Sequence, residues 1–573
     1  MRGSSWAGKL LAVVALSLLA LPAVAMGHAE RPAYYPNFDP LLDEFGPAFG
    51  SPPKYRTSGP WENTRVVCTW DSRNQIENLP DPAMRGRNLD LLRRCGYRHI
   101  QEAVNAASNG DRILILPGVY RENPSRREPF EDPDCAQYKD PDNGQPTYEY
   151  HYYCPNSKNM ITIAGDDPND DDRKCDKPTE KCNLQIEGTA RRHDVLVSGD
   201  RTKLNVFRLD RADGTYIRNL VAEFSDFNNF YAIETNGFVF ESVDSRYSRE
   251  YGFLTFVSDQ GLIDNIEAWG SGDSGIYPGA GPEGHADRDA PPGTGPSNCV
   301  RYGIEIKNSN SHHNNMGLSS TAGNGVWAHD NRFHHNASGM ITDSFVPNHP
   351  GMPQDCAKWE NNQVYSNNMD LFTEKRNAYC DPERKPAHER DPKKLCSTFG
   401  VPVGGGMLIA GGNNNIVRGN RVWDNWRYGA ALFHVPAELR GEDSTGQSAE
   451  PSNVPPDTSH GNQFTENRMG VRPNGNRDPN GVDFWWEGQG KGNCWSDNKG
   501  PGGAPPTTDF GEPYDTDPSL VACPEGSPGN PLFDPTKTSL LATCSLWSPS
   551  EYEDPPGCYM AGSSWYDKPA EPQ

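Results

Sequence analysis

The chain has 573 residues, including 14 cysteines, 57 glycines and 51 prolines, and its formal net charge is −23. A net charge this acidic argues against a nucleic-acid-binding protein, which needs a basic surface. It also disfavours capture of an anionic polysaccharide unless a cation or a local basic strip intervenes. Glycine and proline stay below the level that marks low-complexity chains. We therefore expect a folded, turn-rich protein.

The N-terminus has the features of a secretory signal peptide. Arg2 and Lys9 precede an apolar run over residues 10–21, and small residues follow the run. We predict a signal peptide over residues 1–25 with cleavage after Ala25, and Ala29 is the alternative. The run is too short to cross a hydrocarbon layer of about 30 Å, and no later stretch is long enough. The sequence predicts a secreted, extracellular protein with no membrane span.

The 14 cysteines all follow the signal peptide, and their number is even. In an oxidising compartment this favours up to seven disulfides. Two close pairs, Cys175 with Cys182 and Cys380 with Cys396, predict local loop closures. No CxxC pair occurs, so the sequence does not support a zinc ribbon.

The first part of the mature chain is predicted to cap the rest of the molecule. Residues 26–97 are rich in proline, aspartate and aromatic residues, and we expect them to form an N-terminal wrapping or capping segment. Residues 98–124 predict a short amphipathic helix, a strand over residues 113–115 and a turn at residues 117–118. Such a helix would cover the open end of a β-sheet stack.

The middle of the chain repeats itself. Leu220, Val243 and Ile266 occupy equivalent positions 23 residues apart in short strand-like segments separated by Asn, Gly or Ser. The same pattern of short strands and Asn-containing turns recurs over residues 360–368, 417–425 and 461–469. The leucine-rich pattern LxxLxL is absent, so a β-solenoid with three strands per turn fits better. Equivalent residues would then stack at about 4.8 Å, and Asn side chains would pass hydrogen bonds from turn to turn.

Residues 98–124, the strand MITIAG at 160–165 and the Asn-rich turns resemble the right-handed parallel β-helix repeat family of the pectin-lyase-like superfamily, over roughly residues 98–470. The resemblance implies an all-β, right-handed parallel β-helix with a short N-terminal capping helix and disulfide-rich terminal extensions. It implies no single activity, because this superfamily contains lyases, hydrolases, epimerases, esterases and non-catalytic proteins. The motifs of pectin methylesterases, polygalacturonases and alginate epimerases are missing. We expect one β-helix domain over residues 98–480.

Residues 481–573 predict a Cys- and Trp-rich C-terminal cap and tail. Four cysteines in this segment could hold it against the last turns by disulfides: Cys494, Cys523, Cys544 and Cys558. Trp485 and Trp486 could stack on sugar rings, but burial against the end of the coil is the simpler expectation.

The repeat also predicts which segments project from the coil. If residues 406–410 are the first strand of a turn, residues 275–278, 316–319, 339–342 and 429–433 are first strands too. Insertions at 279–298, 343–356 and 434–460 each follow a first strand and would project from one edge. The segment 374–404 precedes a first strand and would rise on the opposite edge. We expect these loops to wall a trough that carries the function.

Nine side chains near the edges of this trough are candidate catalytic residues: Asp273, Tyr277, His313, His335, Asp343, Glu374, Lys375, Arg376 and His434. Each also has a plain structural explanation. In this explanation, Asp273 and Asp343 cap turns and Tyr277 and His434 serve for packing alone. Residues 374–376 are most simply interpreted as a solvated charge run.

The two His-His-Asn steps, beginning at His312 and His334, lie 22 residues apart. Repeat architecture alone predicts their recurrence, with one member of each pair pointing into the coil or packing against its neighbours and the other stacking on the surface. Metal binding would need a third ligand. Catalytic or sugar-binding use stays open because imidazole titrates near neutral pH.

The leading hypothesis is a secreted protein, expected to be a monomer, that binds and modifies an extracellular polysaccharide as a lyase, epimerase or hydrolase. Lys375, Arg376, His313 and Tyr277 are the residue types that elimination or epimerisation needs, and Asp273 or Asp343 could hold Ca²⁺, the one cofactor we consider. Hydrolysis needs two facing carboxylates. The alternative is a non-catalytic structural, adhesive or carbohydrate-binding surface protein.

Overall fold

The computed structural model describes residues 52–141, 144–167, 175–281, 299, 302–345, 349, 352–435, 459–508, 520–526, 541 and 544–548. The predicted signal peptide and both candidate cleavage sites lie outside these residues. Within them, the chain winds into a right-handed parallel β-helix with three parallel sheets. We call the sheets S1, S2 and S3, in the order in which each turn of the coil visits them.

The strands of S1 open each turn and are β4 (Asn159–Ala164), β7 (Asn205–Asp210), β10 (Asn228–Ile233), β13 (Phe253–Phe256), β16 (Ser274–Gly279), β19 (Met316–Thr321), β22 (Ser338–Asp343), β25 (Gly405–Ala410), β28 (Tyr428–Phe433) and β31 (Val482–Trp486). The strands of S2 are β1 (Thr64–Val67), β2 (Arg112–Ile115), β5 (Gln185–Gly188), β8 (Thr215–Arg218), β11 (Asn236–Glu241), β14 (Asp259–Asp264), β17 (Ile304–Lys307), β20 (Val326–His329), β23 (Lys358–Glu360), β26 (Ile416–Arg418), β29 (Gln463–Thr465) and β32 (Cys494–Ser496). The strands of S3 are β3 (Gly118–Tyr120), β6 (Val195–Ser198), β9 (Val221–Glu223), β12 (Asp244–Arg246), β15 (Glu267–Trp269), β18 (Asn310–His312), β21 (Arg332–His334), β24 (Gln363–Tyr365), β27 (Arg421–Trp423) and β30 (Arg468–Met469).

Helices are short and lie outside the sheets. The α-helices are Ser72–Glu77, Pro82–Leu92, Ile100–Asn105, Asn123–Arg127, Tyr148–Tyr153, Pro155–Lys158 and Glu374–Cys380. The 3₁₀ helices are Trp61–Asn63, Pro133–Tyr138, Arg192–Asp194, Ala387–Glu389, Pro501–Gly503 and Cys544–Leu546. No helix in the described ranges is long and apolar enough to cross a membrane.

The predicted phasing of the repeat is confirmed. The segments assigned as first strands all lie in S1. Leu220, Val243 and Ile266 line the inside of the coil at 0–2% exposure. Inside S1, Phe207, Phe230 and Phe253 stack with ring centroids 5.3 and 4.8 Å apart. Alternating side chains in every strand therefore fill one continuous apolar interior.

Asparagine ladders run along the turns of the coil, as predicted. One includes Asn331, Asn362, Asn420, Asn467 and Asn498, in which each Nδ2 donates to the Oδ1 of the next turn at 2.9–3.1 Å. A second ladder joins Asn314, Asn336, Asn367, Asn425 and Asn480 at 3.0–3.2 Å. The ladder amides also bond backbone carbonyls, so both their donor hydrogens have partners.

The predicted capping helix, Ile100–Asn105, lies at the N-terminal end. The buried carboxylate of Glu122 accepts the backbone N–H groups of Ile100 and Gln101 at 2.8 and 3.0 Å. The stacked strands reach beyond residues 98–480, because Thr64–Val67 pairs with Arg112–Ile115 and Cys494–Ser496 pairs with Gln463–Thr465. The expected N-terminal segment thus supplies a strand of S2 in addition to its helices.

Disulfides fasten the loops and both ends of the coil. The described pairs are Cys68–Cys95, Cys135–Cys154, Cys175–Cys182, Cys299–Cys356, Cys380–Cys396 and Cys494–Cys523. Both local pairs predicted from the sequence are confirmed, and no cysteine in the described part of the chain is free. Trp485 and Trp486 are 1% and 2% exposed, so the prediction that they are buried is also confirmed.

Candidate functional site

The outer face of S1 carries buried acidic and phenolic side chains near its middle. Asp273 directly precedes β16, and Tyr277 points outward from that strand because its neighbour Ile276 fills the coil interior. Asp343 is the last residue of β22, two turns further on. Glu250 and Tyr251 belong to the turn before Asp273 and lie beside it. We call these five residues the acid–tyrosine cluster.

Hydrogen bonds connect the cluster across adjacent strands. The hydroxyl of Thr321 donates to Oδ1 of Asp343 at 3.0 Å, and the backbone N–H of Phe345 donates to the same oxygen at 3.0 Å. The backbone N–H of Thr321 donates to the hydroxyl of Tyr277 at 3.2 Å. The rings of Tyr251 and Tyr277 lie 4.6 Å apart. Thr321 therefore bridges the phenol of Tyr277 and the carboxyl of Asp343.

Burial raises the pKa of every carboxyl in the cluster. Asp273 is 6% exposed, and burial, with the charge of Asp343 adding to it, raises its pKa to about 7 although contact with Tyr251 lowers it. Burial raises the pKa of Asp343 to about 6 against the opposing effect of its hydrogen bonds. Burial, and then the charge of Asp273, raises the pKa of Glu250 well above its usual range. Carboxyl groups that titrate near neutral pH can hold and release protons at a working pH, as general acids and bases must.

Two polar atoms of the cluster have no hydrogen-bond partner in the described chain. They are Oδ1 of Asp273 and Oε2 of Glu250, and both residues are more than nine-tenths buried. A buried oxygen left without a partner costs free energy, so its retention needs a reason. A neutral, protonated carboxyl lowers this cost, in agreement with the raised pKa values.

The other candidates from the sequence lie elsewhere. Glu374 and Lys375 are exposed on the helix Glu374–Cys380. Arg376 is only 1% exposed and donates from Nη1 to the carbonyl of Leu395 at 2.7 Å, so the interpretation of residues 374–376 as a solvated charge run is wrong for Arg376. The backbone N–H of His434 donates to Oε1 of Glu487 at 2.8 Å, at the far end of S1.

The segment 374–404 lies against the edge where the strands of S1 begin. The N–H of Thr398 donates to the carbonyl of Gly272 at 3.0 Å, and Asn315 Nδ2 donates to the carbonyl of Phe399 at 2.7 Å. The insertions 279–298, 343–356 and 434–460 leave from the other ends of S1 strands, and residues 282–298, 346–348, 350–351 and 436–458 of them lie outside the described residues. The trough that they were expected to wall stays a prediction.

The histidine pairs lie on the corner between S3 and S1 and face outward. His312 stacks on His334 at 5.1 Å, and His313 stacks on His335 at 5.5 Å. The first residue of each pair is the outward-facing end of an S3 strand. The second has a positive φ, 54° for His313 and 53° for His335, which keeps its ring outside while the following Asn turns inward. Both imidazoles of each pair therefore pack on the surface, and neither enters the coil.

Within each pair the two Nδ1 atoms are 2.7 Å apart, so one must donate and the other accept. Neutral imidazoles can do this. Burial, with the neighbouring imidazoles adding to it, lowers the pKa of His313 to about 4 and that of His334 to about 3. The structural interpretation, a ladder of imidazoles continuing the asparagine ladders, fits this arrangement.

The stack of His312 and His334 is part of a longer column along S3. The same outward position in successive turns is occupied by Arg246, Trp269, His312, His334, Tyr365 and Trp423. Neighbouring rings are nearly parallel, with interplanar angles of 5–11°. We call this set the ring column. Sequence reasoning found only its histidines, although Trp423 lies within the repeat segment 417–425.

Two groups of potential metal ligands occur in the described ranges, Asp132 with Cys135 and Cys154, and Asp355 with Cys299 and Cys356. Both contain a disulfide, whose sulfurs are not thiolate ligands. Neither group includes Asp273, Asp343 or a histidine of the ring column. The suggestion of Ca²⁺ at Asp273 or Asp343 therefore stays a prediction.

Searches for related proteins found no matching family model and no matching curated protein. Among solved structures, the chain is similar to the A-module of a mannuronan C-5 epimerase from Azotobacter vinelandii, at 11% identity and a TM-score of 0.40, covering 73% of this chain and 95% of that one. It is also similar to a pectate lyase, at 13% identity and a TM-score of 0.30, covering 80% and 81%. A third is DFA-IIIase from Arthrobacter chlorophenolicus A6, at 11% identity and a TM-score of 0.35, covering 76% and 95%. These likenesses concern the fold and carry no argument about the site.

Proposed function

We propose that this protein is a secreted enzyme that modifies an extracellular polysaccharide, and that its reaction is hydrolysis of a glycosidic bond at the acid–tyrosine cluster. The observation that carries the proposal is the pair of carboxyl groups, Asp273 and Asp343, whose pKa values are raised to about 7 and about 6 on the outer face of one sheet. Glycoside hydrolysis needs two carboxyl groups with different protonation states. Burial raises both pKa values, that of Asp273 further than that of Asp343, so Asp343 is the first of the two to ionise as the pH rises.

The two carboxyl groups take different roles in this mechanism. Asp273, the more deeply buried, is protonated up to about neutral pH and donates its proton to the departing glycosidic oxygen. Asp343 is less buried, has the lower pKa and acts as the ionised partner, either as nucleophile or as the base that activates water. Thr321 fixes the orientation of Asp343 through its hydroxyl.

Hydrolysis is favoured over elimination by the surroundings of the cluster. Elimination from a uronate needs a positive group to neutralise the sugar carboxylate. Of the candidates for that role, Arg376 donates to the carbonyl of Leu395, His313 stacks on His335, and Lys375 is exposed. The described disulfides and the lack of a free cysteine among described residues support an oxidising, extracellular compartment.

A second candidate function is a non-catalytic, carbohydrate-binding or structural β-helix. The observation in its favour is the low exposure of Asp273 and Tyr277, 6% and 4%, because a substrate must reach these groups. In this alternative, the protonated carboxyl groups only fill the outer face of S1.

One experiment separates the two functions. The oxidised protein is incubated with acidic and neutral polysaccharides, with and without Ca²⁺, while new reducing ends and the ultraviolet absorbance of unsaturated products are followed together. We expect reducing ends without unsaturated products, and a loss of at least about a hundredfold in Asp273→Asn and Asp343→Asn. Asp90→Asn, at a side chain 74% exposed on the helix Pro82–Leu92, is the matched control.

Unsaturated products would show an eliminase instead. Full activity in both cluster variants would move the reaction away from the acid–tyrosine cluster. Absence of any product on every glycan would favour the non-catalytic alternative.

A further inference from the structure

A cavity of about 500 Å³ opens on the outer face of S3, on a different sheet from the acid–tyrosine cluster. Its floor is formed by Tyr365 and Trp423 of the ring column, and its sides by Arg332, His335 and Gln363. The remaining wall is the segment 472–474, which follows S3 strand β30. A volume of this size lies in the range of ordinary small-molecule sites.

The cavity exists because the ring column stops. Arg421 pairs with Arg468 and Val422 with Met469, so the position after Trp423 in the next turn falls on Gly470, which has no side chain. Beyond Gly470 the chain turns back in a short hairpin in which Val471 bridges Arg477. Arg421 fixes this hairpin by donating from Nη1 to the carbonyl of Arg472 at 3.0 Å. The wall of the cavity is therefore tied to the coil.

The charge along S3 changes sign at this place. The first outward position of successive strands is acidic at Asp244 and Glu267, and it becomes Arg332, Gln363, Arg421 and Arg468 further along the coil. Consecutive turns are about 4.8 Å apart, so these side chains form a local basic strip. In a chain of net charge −23 such a strip is an exception that attracts anions locally.

The cations of the cavity differ in their pairing. Arg472 donates from Nε to Asp478 at 2.5 Å. Arg332 is exposed and has no carboxylate partner among the described residues. Burial is the main influence on the pKa of His334, which it lowers, and on the pKa of Tyr365, which it raises. The positive charge of Arg332 also acts on both groups and lowers both pKa values. The Arg332 guanidinium therefore lies beside the ring column. One cation at the cavity is thus available to an incoming anion.

Both faces of Tyr365 are covered by neighbouring rings, and Trp423, the last ring of the column, is only 5% exposed. Tyr365 lies between His334 at 4.7 Å and Trp423 at 4.3 Å. Little aromatic face is therefore open on this floor for broad stacking of a neutral sugar. The cavity instead presents a phenol hydroxyl, an imidazole edge and an amide, which are hydrogen-bonding partners for sugar hydroxyls.

We infer that this cavity is a binding site for a uronate unit of an acidic saccharide, with Arg332 bound to the sugar carboxylate and with Gln363, Tyr365 and His335 bound to its hydroxyls. Guanidinium is the group best suited to a carboxylate because it offers two parallel N–H donors. The site is independent of the proposed hydrolysis, and it would tether the protein to an acidic glycan whether or not the acid–tyrosine cluster is catalytic.

The inference is tested by calorimetry with a galacturonate trisaccharide and, in parallel, a neutral galactose trisaccharide of the same length. The titrated protein carries Asp273→Asn, so that turnover at the acid–tyrosine cluster cannot consume the probe. We expect binding of the uronate but not of the neutral sugar, and weakening by added salt. Arg332→Gln should reduce the affinity about tenfold. Tyr365→Phe, which keeps the ring stack and removes the hydroxyl, should reduce it several-fold.

Arg93→Gln is the matched control, because its side chain is 80% exposed beside the remote helix Pro82–Leu92. Thermal unfolding of each variant confirms that it is folded. Equal affinities of Arg332→Gln and Arg93→Gln for the uronate would overturn the inference, as would equal binding of the two sugars or no binding of the uronate. None of these results bears on reducing-end formation, so the two proposals fail separately.

Discussion

Replacing Asp273 by Asn should change how the stability of the protein depends on pH. The Asp273 carboxyl is 6% exposed, and burial raises its pKa from 3.8 to about 7. Between these two values the folded protein keeps a proton that the unfolded chain has released. The free energy of unfolding therefore falls as the pH rises through this window, and the loss is complete above the folded pKa. An Asn at this position does not titrate, so the variant lacks this loss.

The size of the effect follows from the two pKa values. Each pH unit between them corresponds to about 1.4 kcal/mol, so the whole window amounts to on the order of 4 kcal/mol. Roughly 3 kcal/mol of this falls between about pH 5 and about pH 8. Relative to the wild-type protein, Asp273→Asn should gain about that much stability over this range. Little discount for solvent screening is needed because the group is buried.

The assay is urea unfolding at both pH values, followed by tryptophan fluorescence, for the wild type, Asp273→Asn and Asp90→Asn. Asp90 is 74% exposed, so its variant should follow the wild type within a few tenths of a kcal/mol. Other buried carboxyl groups, such as Glu122, are present in all three proteins and cancel in the comparison. Parallel pH dependence in the wild type and Asp273→Asn would refute the reasoning, since it would mean that the carboxyl is ionised and solvated in the folded protein.

Three further predictions concern the scaffold. Asn362→Ala removes the hydrogen bonds from Nδ2 to the carbonyl of Ala328 at 2.8 Å and to Asn420 at 3.1 Å. Because these buried partners are left unpaired, the free energy of unfolding in urea should fall by about 2–4 kcal/mol. The control Asn476→Ala, at an exposed residue, should change it very little. The pKa values of His313 and His334 lie at about 4 and about 3, below the ordinary 6.5, so both rings should stay neutral at about pH 5 by nitrogen NMR. The free energy of unfolding should fall as the pH drops from about 6.5 towards these folded pKa values, because only the unfolded chain takes up protons there. Titration of every imidazole near its ordinary pKa would contradict this. Replacing Cys380 and Cys396 together by Ser opens a closure of 16 residues worth about 3 kcal/mol, and limited proteolysis should then cut first within residues 374–404; cleavage no faster than in the wild type would argue against a supporting role for this disulfide.

The architecture of the coil was predictable because a repeat states the same information many times. The spacing of Leu220, Val243 and Ile266 identified the inward positions, and strand phasing then identified S1. Asp273 and Asp343 lie 70 residues apart in sequence, yet both were placed beside first strands. That both belong to one sheet follows from stacking turns, which the sequence does reveal.

Three features escaped prediction for physical reasons. Arg376 lies in a charge run that looks solvated, and only the folding of the segment 374–404 buries it against the carbonyl of Leu395. The ring column was hidden by unequal spacing, because an insertion separates His334 from Tyr365 by 31 residues and a longer one separates Tyr365 from Trp423 by 58. The raised pKa values of the cluster depend on burial, which no local pattern states.

The equivalence of the turns also constrains how the gene can change length. Asn314 and Asn336 are bonded neighbours in one ladder and are 22 codons apart. Loss or duplication of that whole interval would rejoin equivalent positions, so that each later strand still meets its neighbour in register. Loss of one codon within a strand would instead exchange the inner and outer faces of that strand. Unequal recombination between such repeats can therefore lengthen or shorten the coil in whole turns, whereas small insertions survive only at its corners, where the loops of this protein are found.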